Sequence, residues 1–438
     1  MTARGTSAIT PSAARLTESL RDIGYDFPSA VADIVDNSIM AGAARVEILI
    51  KFDGTRSLVS IADDGQGMTP NGLVEALRYG TRRAYARGDL GRYGLGLKTA
   101  SLSQCRSVTV VTRSSKLAGR TSVRMLDLDL IAEWDEWLVV DPGPDPVASS
   151  AREWLAGSPG TVVTWRKLDR VLPENRPDGG WARRRVEAMI AKTAEHLGIV
   201  FHRFLENSDN RQLVITVNVE KVRPWNPFAP DEPNRAELPA QRFEVVVGEV
   251  VGTVTLQRFV LPARDQFSSP VEFERLSGPL NWNRQQGLYV YRAGRLVQWG
   301  GWNGIRGIDE HTKLARAALH FDTDLDQVFN INVAKIRVSI PPQLRQMIER
   351  PINELCGQAD DVYRKTSRRS TADPASGNPG RRPPWASPEP SAGPIGDDAG
   401  LALRAAAMHA GEYDAFRRIV STLREQAPEV AQALGLRD

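Results

Sequence analysis

The first 175 residues alternate between helical and strand patterns. Residues 46–52 alternate apolar and polar positions, which is typical of a strand buried on one face. The Asp53-Gly54 pair that follows predicts a hairpin into a second strand over residues 58–62, and residues 108–112 and 161–165 predict further strands. Residues 28–40 predict a helix, because their apolar side chains recur at helical spacing: Val31, Ile34, Val35 and Ile39. Helices mixed with hairpin-connected strands favour an α+β sandwich over a doubly wound parallel sheet.

The later parts of the chain have different patterns. A second α/β domain, over residues 176–355, opens with a predicted helix and continues with strands over 213–219, 243–251, 253–260 and 288–291. Seven prolines, with glycines and serines between them, predict a flexible linker over residues 366–396. A helical tail, residues 399–438, carries an apolar face formed by Phe416, Ile419, Val420 and Leu423, and Pro428 suits the first turn of a second short helix. We expect this tail to serve docking or dimerisation.

Composition excludes several classes of protein. A chain of 438 residues predicts two to three domains, and 41% apolar with 25% charged residues excludes a wholly disordered or fibrous protein. A net charge of +3 produces no large electrostatic field of one sign, so charge alone does not favour nucleic acid or a membrane as the binding partner. Two cysteines exclude a disulfide framework, and no Cys/His spacing suits zinc. Without a signal peptide or a long apolar run, the sequence predicts a soluble, cytoplasmic protein.

The predicted helix over 28–40 carries two acidic side chains and one amide, Asp33, Asp36 and Asn37. Residues four apart share one face of a helix, so Asp33 and Asn37 point the same way, opposite the apolar stripe. Taken alone, this pattern is most simply a solvated helix face. The functional alternative is a carboxylate that polarises water beside an amide oxygen that holds a hard cation such as Mg²⁺.

Asp63 follows the strand over 58–62 and begins the string Asp63-Asp64-Gly65-Gln66-Gly67-Met68. It shares the parity of Val59 and Ile61, so we expect its side chain to point inward, where a carboxylate needs a specific partner. The two glycines after it allow close approach of a ligand. An ordinary Asp-Gly turn explains the string without a ligand, but the inward carboxylate favours a contact such as the amino group of a purine.

A glycine-rich segment leads into a further predicted helix, and it reads Gly91-Arg92-Tyr93-Gly94-Leu95-Gly96-Leu97-Lys98-Thr99. Glycine amides at the start of a helix bind phosphate well. The segment is not a Walker A loop, because Leu97 separates Gly96 from Lys98, and it is not a Rossmann loop, because no strand precedes it. Arg82 and Arg83 add positive charge, although charge runs are often only solvated.

Two positions complete the set of candidates. Thr161 follows Gly160 at the start of a strand, a pattern that a simple turn also explains. Near Lys335, the parity of the apolar residues slips between Val333 and Ile336, which predicts a bulge or loop that re-aims a side chain. A surface lysine is the commoner explanation of such a residue.

The order of these motifs resembles the GHKL ATPase superfamily, which includes gyrase, the ninety-kilodalton heat-shock chaperones, histidine kinases and MutL. The fuller strings look most like MORC proteins and their bacterial relatives: Ala32-Asp33-Ile34-Val35-Asp36-Asn37-Ser38-Ile39 and Gly91-Arg92-Tyr93-Gly94-Leu95-Gly96-Leu97-Lys98. The resemblance covers roughly residues 15–350. It implies a sandwich ATPase domain over residues 1–175, followed by a transducer-like domain.

The resemblance also implies roles for individual residues. Asn37 would coordinate Mg²⁺ at the phosphates of ATP, and Asp63 would accept a hydrogen bond from the adenine amino group with help from Thr161. Gly65 and Gly67, with Met68 beside them, would let the nucleotide lie close. A flap would cradle the phosphates, and its residues are Gly91, Arg92, Tyr93, Gly94, Leu95, Gly96 and Lys98. Lys335 would be the lysine that the second domain inserts toward the γ-phosphate.

One position departs from the superfamily, whose usual Glu general base is here Asp33. Aspartate is shorter by one carbon–carbon bond, roughly 1.5 Å. A misplacement of about 1 Å can cost on the order of 10²-fold in rate. We therefore predict slow hydrolysis of ATP.

The leading hypothesis is an ATP-gated clamp that forms a homodimer on ATP binding and acts on a protein partner encoded nearby. The resemblance suggests DNA restriction or phage defence as its context, and Arg183, Arg184 and Arg185 permit contacts to DNA phosphates. A heat-shock chaperone is the alternative within the superfamily, and a non-catalytic nucleotide-sensing scaffold is the alternative outside it. A histidine kinase is disfavoured because no phosphoacceptor hairpin precedes the motifs. A type II topoisomerase is disfavoured because the sequence leaves no room for a DNA-cleavage domain.

Overall fold

The computed structural model describes residues 11–22, 24–79, 96–117, 120–172, 175–206, 213–248, 250–331, 335, 338–372 and 413–433. The chain divides into two compact units, Met1–Ala372 and Asp373–Asp438. The predicted flap residues Gly91, Arg92, Tyr93, Gly94 and Leu95 lie outside the described residues, as does most of the predicted linker.

The first unit begins with a seven-stranded sheet in the order β4-β3-β5-β2-β1-β6-β7. Its strands are β1 (Arg45–Lys51), β2 (Leu58–Asp63), β3 (Ser107–Arg113), β4 (Thr121–Asp127), β5 (Gly160–Arg166), β6 (Val214–Val217) and β7 (Glu220–Lys221). The Asp53-Gly54 turn joins β1 and β2 as an antiparallel hairpin, as predicted, and β6 pairs with β1 in parallel. The α+β class predicted from the sequence is confirmed.

Helices cover both faces of this sheet. They are α1 (Ala13–Arg21), α2 (Phe27–Met40), α3 (Pro70–Leu77), α4 (Gly96–Leu102), α5 (Leu128–Trp134), α6 (Pro146–Trp154), α7 (Gly180–Val200) and α8 (His202–Leu205). On one face, α2 packs against β2, α4 and α7. On the other, α6 closes a smaller cluster with Ala62 and Val162. Because strand residues alternate between faces, Val59, Ile61 and Asp63 share the face that α2 covers.

Helix α2 is fixed at both ends by local chemistry. The Asp26 carboxylate caps its first turn by accepting a hydrogen bond from the Ser29 amide, and Pro28 lies in that turn, where its missing amide hydrogen costs nothing. Gly42, at φ +76°, ends the helix in the left-handed conformation that glycine tolerates. These signals place the acidic residues of α2 at defined positions above the sheet.

A second, five-stranded sheet follows in the order β11-β10-β12-β9-β8. Its strands are β8 (Ala236–Val247), β9 (Val250–Val260), β10 (Gly287–Arg292), β11 (Arg295–Gln298) and β12 (Ala315–Phe321). The helices with it are α9 (Pro270–Leu276), α10 (Asn281–Gln285) and α11 (Pro342–Ala372), and 3-10 turns occur at Arg264–Gln266, Glu310–Thr312 and Thr323–Leu325. The long helix α11 packs on β8, β9 and β12 and closes the second core.

Three boundaries differ from the sequence analysis. The hydrophobic core of the first sheet continues to Val222, because α7 and β6 pack on that sheet, whereas the sequence analysis ended the first domain at 175. The strand predicted over 243–251 is wrong, since Gly248, at φ +61°, turns the chain between β8 and β9. Helix α11 runs through residues 366–372, which the sequence analysis assigned to the linker.

The second unit is described only over two helices, α12 (Tyr413–Gln426) and α13 (Pro428–Ala433). Pro428 opens α13, as predicted. Val420 of the predicted apolar face is buried, as is Ala431, but Ile419 is 64% exposed. The apolar face of α12 is therefore only partly covered within the described residues.

Candidate functional site

Asp33 and Asp36 of α2 lie in a buried cluster of charges. Each is only 1% exposed, whereas Asn37, the next residue, is exposed. The Lys335 ammonium donates hydrogen bonds to both carboxylates, with Nζ 3.0 Å from Asp33 Oδ1 and 2.7 Å from Asp36 Oδ2. The interpretation of this helix face as solvated is therefore wrong for Asp33 and Asp36, because elements of the second sheet cover it.

Arg295 supplies the second cation of the cluster. It lies at the start of β11, and its Nε donates to Asp36 Oδ1 at 2.9 Å, while its guanidinium is 3.8 Å from Asp33 Oδ1. Burial alone would raise the pKa of Asp36, but the charges of Arg295 and Lys335 hold that pKa below its usual value. Two carboxylates thus meet two cations, which is the condition under which buried charges are tolerated.

Lys335 lies in the part of the chain between β12 and α11. Its backbone has φ +52°, which is uncommon for a residue with a side chain. The parity slip had predicted a re-aimed side chain at this point, and the backbone turn at Lys335 agrees with it. Residues 332–334 and 336–337 lie outside the described residues. The second sheet and its following segment therefore contribute both cations, and α2 contributes both acids.

Tyr25 holds the other oxygen of Asp33. It lies in the loop before α2, is buried, and its hydroxyl donates to Asp33 Oδ2 at 2.6 Å. Burial, followed by the neighbouring Asp33 charge, raises the pKa of the Tyr25 phenol well above its usual range, so the phenol remains a donor. Thr99 of α4 hydrogen-bonds to the same phenol.

Asp63 lies at the end of β2 on the face beneath α2, and it points inward as its parity predicted. Its carboxylate accepts hydrogen bonds from the Gly65 amide, at 3.0 Å, and from the Ser38 hydroxyl of α2, also at 3.0 Å. Burial raises the pKa of Asp63 to about 6, although these hydrogen bonds and one from the Thr161 backbone oppose the rise. A carboxylate has about four acceptor positions, so Asp63 retains capacity for a ligand donor.

The turn after Asp63 is packed so tightly that only glycine fits. A Cβ atom on Gly65 would lie 2.7 Å from the Ala41 Cβ, and one on Gly67, at φ +63°, would lie 1.9 Å from the Arg113 carbonyl oxygen. The next residue, Met68, is anchored by its amide, which donates to the Thr112 hydroxyl at 2.9 Å.

Thr161 closes the same corner from β5. Its Cα is the register partner of Asp63, and its hydroxyl lies 3.1 Å from the Thr112 hydroxyl. The structure therefore brings Asp63, the glycine turn and Thr161 together at one end of the sheet, as their separate motifs required.

The glycine-rich segment enters the described structure at Gly96, the first residue of α4. A Cβ atom on Gly96 would lie 3.5 Å from Asp33 Oδ2, so the start of α4 lies against Asp33. Lys98 is buried and donates to the carbonyl oxygens of Ala76, at 2.9 Å, and Arg78, at 2.6 Å. Burial lowers the pKa of Lys98 to about 8. In this arrangement its ammonium binds the end of α3.

Sequence reasoning missed Tyr25, Ser38 and Arg295 as parts of the site. Ser38 follows the Asp33–Asn37 motif directly, so its position one turn beyond Ile34 could have been used to place it toward the sheet. Tyr25 and Arg295 carry no local signal, because their partners lie on other elements and only the tertiary fold brings them together.

The chain offers few protein ligands for a metal ion. Within the described residues, no group of three or more His, Cys, Asp or Glu side chains is placed to hold one. Magnesium, however, is commonly bound through one or two protein oxygens together with substrate phosphates and water. The exposed amide of Asn37, one turn from Asp33 on α2, is compatible with that mode of binding.

Comparison with known proteins identifies similar sequences. Residues 25–160 match the family described as histidine kinase-, DNA gyrase B-, and HSP90-like ATPase. The DNA mismatch repair protein MutL of Paramagnetospirillum magneticum is 32% identical over 102 residues, which are 23% of this chain and 17% of that protein. Protein MICRORCHIDIA 5 of Arabidopsis thaliana is 29% identical over 156 residues, which are 31% of this chain and 22% of that protein.

A third relative matches over a longer stretch. MutL of Allorhizobium ampelinum is 28% identical over 236 residues, which are 52% of this chain and 35% of that protein. The chain thus spans about a third or less of the length of these relatives. In the part of the chain that the structure describes, no helix has the length and apolarity needed to cross a membrane.

Proposed function

We propose that this chain is an ATP-binding clamp that hydrolyses ATP slowly. The proposal starts from the match of residues 25–160 to the family of histidine kinase-, DNA gyrase B- and HSP90-like ATPases. The observation that carries the proposal is the contact between Lys335 and the two acids of α2. A lysine outside the matched domain reaches a candidate catalytic residue inside it, so nucleotide chemistry and movement of the second sheet are mechanically linked.

The adenine end of the nucleotide would bind at the corner built by β2 and β5. Asp63 would accept a hydrogen bond from the adenine amino group, and the Thr161 hydroxyl would assist. Gly65 and Gly67 form the tight turn at this corner, and Met68 lies beside them on a fixed amide. The buried carboxylate with free acceptor positions supports this assignment.

The phosphate end would lie between α2 and the start of α4. Asn37 would hold Mg²⁺, whose charge would neutralise the phosphates during transfer. The amides of Gly91, Gly94 and Gly96 would contact the phosphates, with Arg92, Tyr93 and Leu95 between them. Lys98 would add positive charge near the phosphates, from an ammonium that donates to the end of α3.

Asp33 would act as the general base that orients the attacking water. Asp33 is 1% exposed, with Lys335 bound to Oδ1 and Tyr25 bound to Oδ2, so water would reach the carboxylate only after one of these contacts opens. Lys335 would leave Asp33 for the terminal phosphate, because a triphosphate carries more negative charge than a single carboxylate. This exchange would release Asp33 for catalysis and pull the segment before α11 toward the nucleotide.

The finer parts of the proposal concern partners. The MutL relatives are DNA mismatch repair proteins by name. We infer that this clamp closes as an ATP-dependent homodimer and licenses a DNA-associated partner. The context that we propose for this activity is DNA restriction or phage defence. Arg183, Arg184 and Arg185 are exposed at the start of α7 and offer contacts to phosphates. Salt-dependent DNA binding, with and without a non-hydrolysable ATP analogue, tests direct contact with DNA. No binding at low salt in either state would count heavily against DNA as a partner.

Single-turnover hydrolysis of ATP tests the catalytic part. We expect measurable turnover by the wild type, at least about 100-fold slower turnover by Asp33→Ala, and a similar loss in Asn37→Ala through weaker binding of magnesium. Equal rates in all three proteins would remove Asp33 from the mechanism.

A non-catalytic nucleotide-sensing scaffold is the second candidate. The observation in its favour is that both oxygens of Asp33 are already engaged. Tight binding of ATP with no turnover in the wild type would favour the scaffold.

A further inference from the structure

The Tyr25 phenol makes a short contact that the proposed mechanism does not use. Its hydroxyl lies 2.6 Å from Asp33 Oδ2, and both side chains are buried. A hydrogen bond from a neutral donor to a carboxylate is among the stronger kinds in proteins. The contact joins the loop before α2 to the residue that the proposed function makes the general base.

The two oxygens of Asp33 have different partners. Oδ1 faces Lys335 and, at 3.8 Å, Arg295, whereas Oδ2 faces Tyr25. The Lys335 contact must break if that lysine moves to a phosphate. The Tyr25 contact belongs to the first sheet and its helices, so it persists through that movement.

An aspartate needs such a contact more than most side chains. Its last torsion joins an sp³ to an sp² carbon, and torsions of this type are broad rather than confined to narrow wells. The orientation of the carboxylate plane is therefore set by its partners. With Lys335 gone, the phenol would determine which way Oδ1 points.

The same phenol connects Asp33 to α4, the helix that follows the glycine-rich segment. Thr99 of α4 hydrogen-bonds to the Tyr25 phenol, and Gly96 at the start of α4 lies against Asp33 Oδ2. Thr99 is 1% exposed, so this link is shielded from water. A displacement of α4 would be transmitted to Asp33 through Thr99 and Tyr25.

We propose that Tyr25 is the positioning residue for Asp33, holding Oδ2 so that Oδ1 is aimed at the attacking water once Lys335 has left. Thr99 holds Tyr25 in turn, so alignment of the base depends on the position of α4. This inference rests on the proposed function, since it assigns a task to Tyr25 only if Asp33 acts on ATP.

The test uses the full chain and compares four variants in single-turnover hydrolysis, with MgATP affinity measured by calorimetry. We expect Tyr25→Phe to slow hydrolysis by about 10- to 100-fold while the dissociation constant of MgATP changes by less than about threefold. Thr99→Val, which keeps the shape of the side chain, should slow hydrolysis less. The third variant is Asp33→Ala, and adding Tyr25→Phe to it should produce no further loss, because Tyr25 acts through Asp33.

Tyr289→Phe is the matched control. Tyr289 is also fully buried, and its hydroxyl donates to the Gln285 carbonyl oxygen at 2.7 Å, but it lies in the second sheet. This variant should lose a buried hydrogen bond from a tyrosine hydroxyl, here to an uncharged acceptor, and keep the wild-type rate. Melting curves of all variants establish that each is folded at the assay temperature.

The outcomes separate the inference from the proposed function. Wild-type turnover by Tyr25→Phe, with Asp33→Ala inactive, overturns the inference and leaves the proposed function standing. A further loss on adding Tyr25→Phe to Asp33→Ala, or an equal loss in Tyr289→Phe, also overturns the inference. Unchanged hydrolysis in Asp33→Ala, or no binding of MgATP by the wild type, refutes the proposed function itself.

Discussion

Replacing Lys335 by methionine tests whether the buried charge cluster holds the second sheet against α2. The substitution keeps an unbranched side chain as far as Cε and removes the charged ammonium group. Asp33 and Asp36 would then share the single cation of Arg295, which is 2.9 Å from Asp36 but 3.8 Å from Asp33. The variant therefore leaves one carboxylate buried without a close counter-charge.

The size of the effect follows from that excess charge. Removing one partner of a buried ion pair typically lowers the free energy of unfolding by about 3–5 kcal/mol. Because Arg295 and Tyr25 still contact the two carboxylates, we expect a loss at the lower end of this range, about 3 kcal/mol. Urea unfolding at pH 7, followed by circular dichroism, would show the loss as a lower midpoint. Lys313→Met is the control, because Lys313 pairs with the exposed Glu310 at 3.4 Å, and such pairs contribute about 0–1 kcal/mol.

The difference between wild type and Lys335→Met should also depend on pH. Arg295 and Lys335 hold the pKa of folded Asp36 below the ordinary aspartate pKa of about 3.9, so their stabilisation is present above about pH 4 and is lost as the pH falls through the lower folded pKa. The two proteins should therefore converge in stability below about pH 4. Equal stability at pH 7, or a difference that does not shrink in acid, would refute the reasoning.

Two further predictions concern the adenine corner. Burial raises the pKa of Asp63 to about 6, and the ionised carboxylate is the better hydrogen-bond acceptor. The affinity for MgATP, measured by calorimetry, should therefore rise between pH 5 and 7 with a midpoint near pH 6. Asp63→Asn should abolish this pH dependence, and a flat wild-type profile would contradict the prediction. In urea unfolding, Gly67→Ala should destabilise the protein by at least about 2 kcal/mol more than Gly143→Ala. Both glycines have positive φ, but only at Gly67 would the added Cβ atom meet a carbonyl oxygen, that of Arg113 at 1.9 Å. Equal losses of stability would show that this turn relaxes freely.

The local sequence pattern was sufficient to predict those features of the fold that are determined by a few neighbouring residues. Strand alternation placed Asp63 on the inner face with Val59 and Ile61, because parity along a strand is a property of the backbone itself. The parity slip near Lys335 marked a real turn in the chain. Capping and turn residues similarly defined α2 and the β1–β2 hairpin.

Pattern failed where the cause lies in another element. The periodicity of α2 describes one apolar stripe and contains no information that a second sheet covers the opposite side. Taken alone, it therefore favours a solvated face for Asp33 and Asp36, and only the resemblance assigns Asp33 a catalytic role. The partners of those acids could not be predicted, because Tyr25 and Arg295 are brought to them only by the packing of loops and sheets. The run of valines near Gly248 concealed a turn for a different reason: both strands of that hairpin are rich in β-branched residues.

Titration of the folded full chain with MgATP in an isothermal calorimeter tests the central claim most directly. The account predicts saturable heat with one nucleotide bound per chain in the wild type, and a strong loss of that heat in Asp63→Asn. An absence of heat from well-folded wild-type protein, at several temperatures, would contradict the existence of the nucleotide site and with it the proposed clamp.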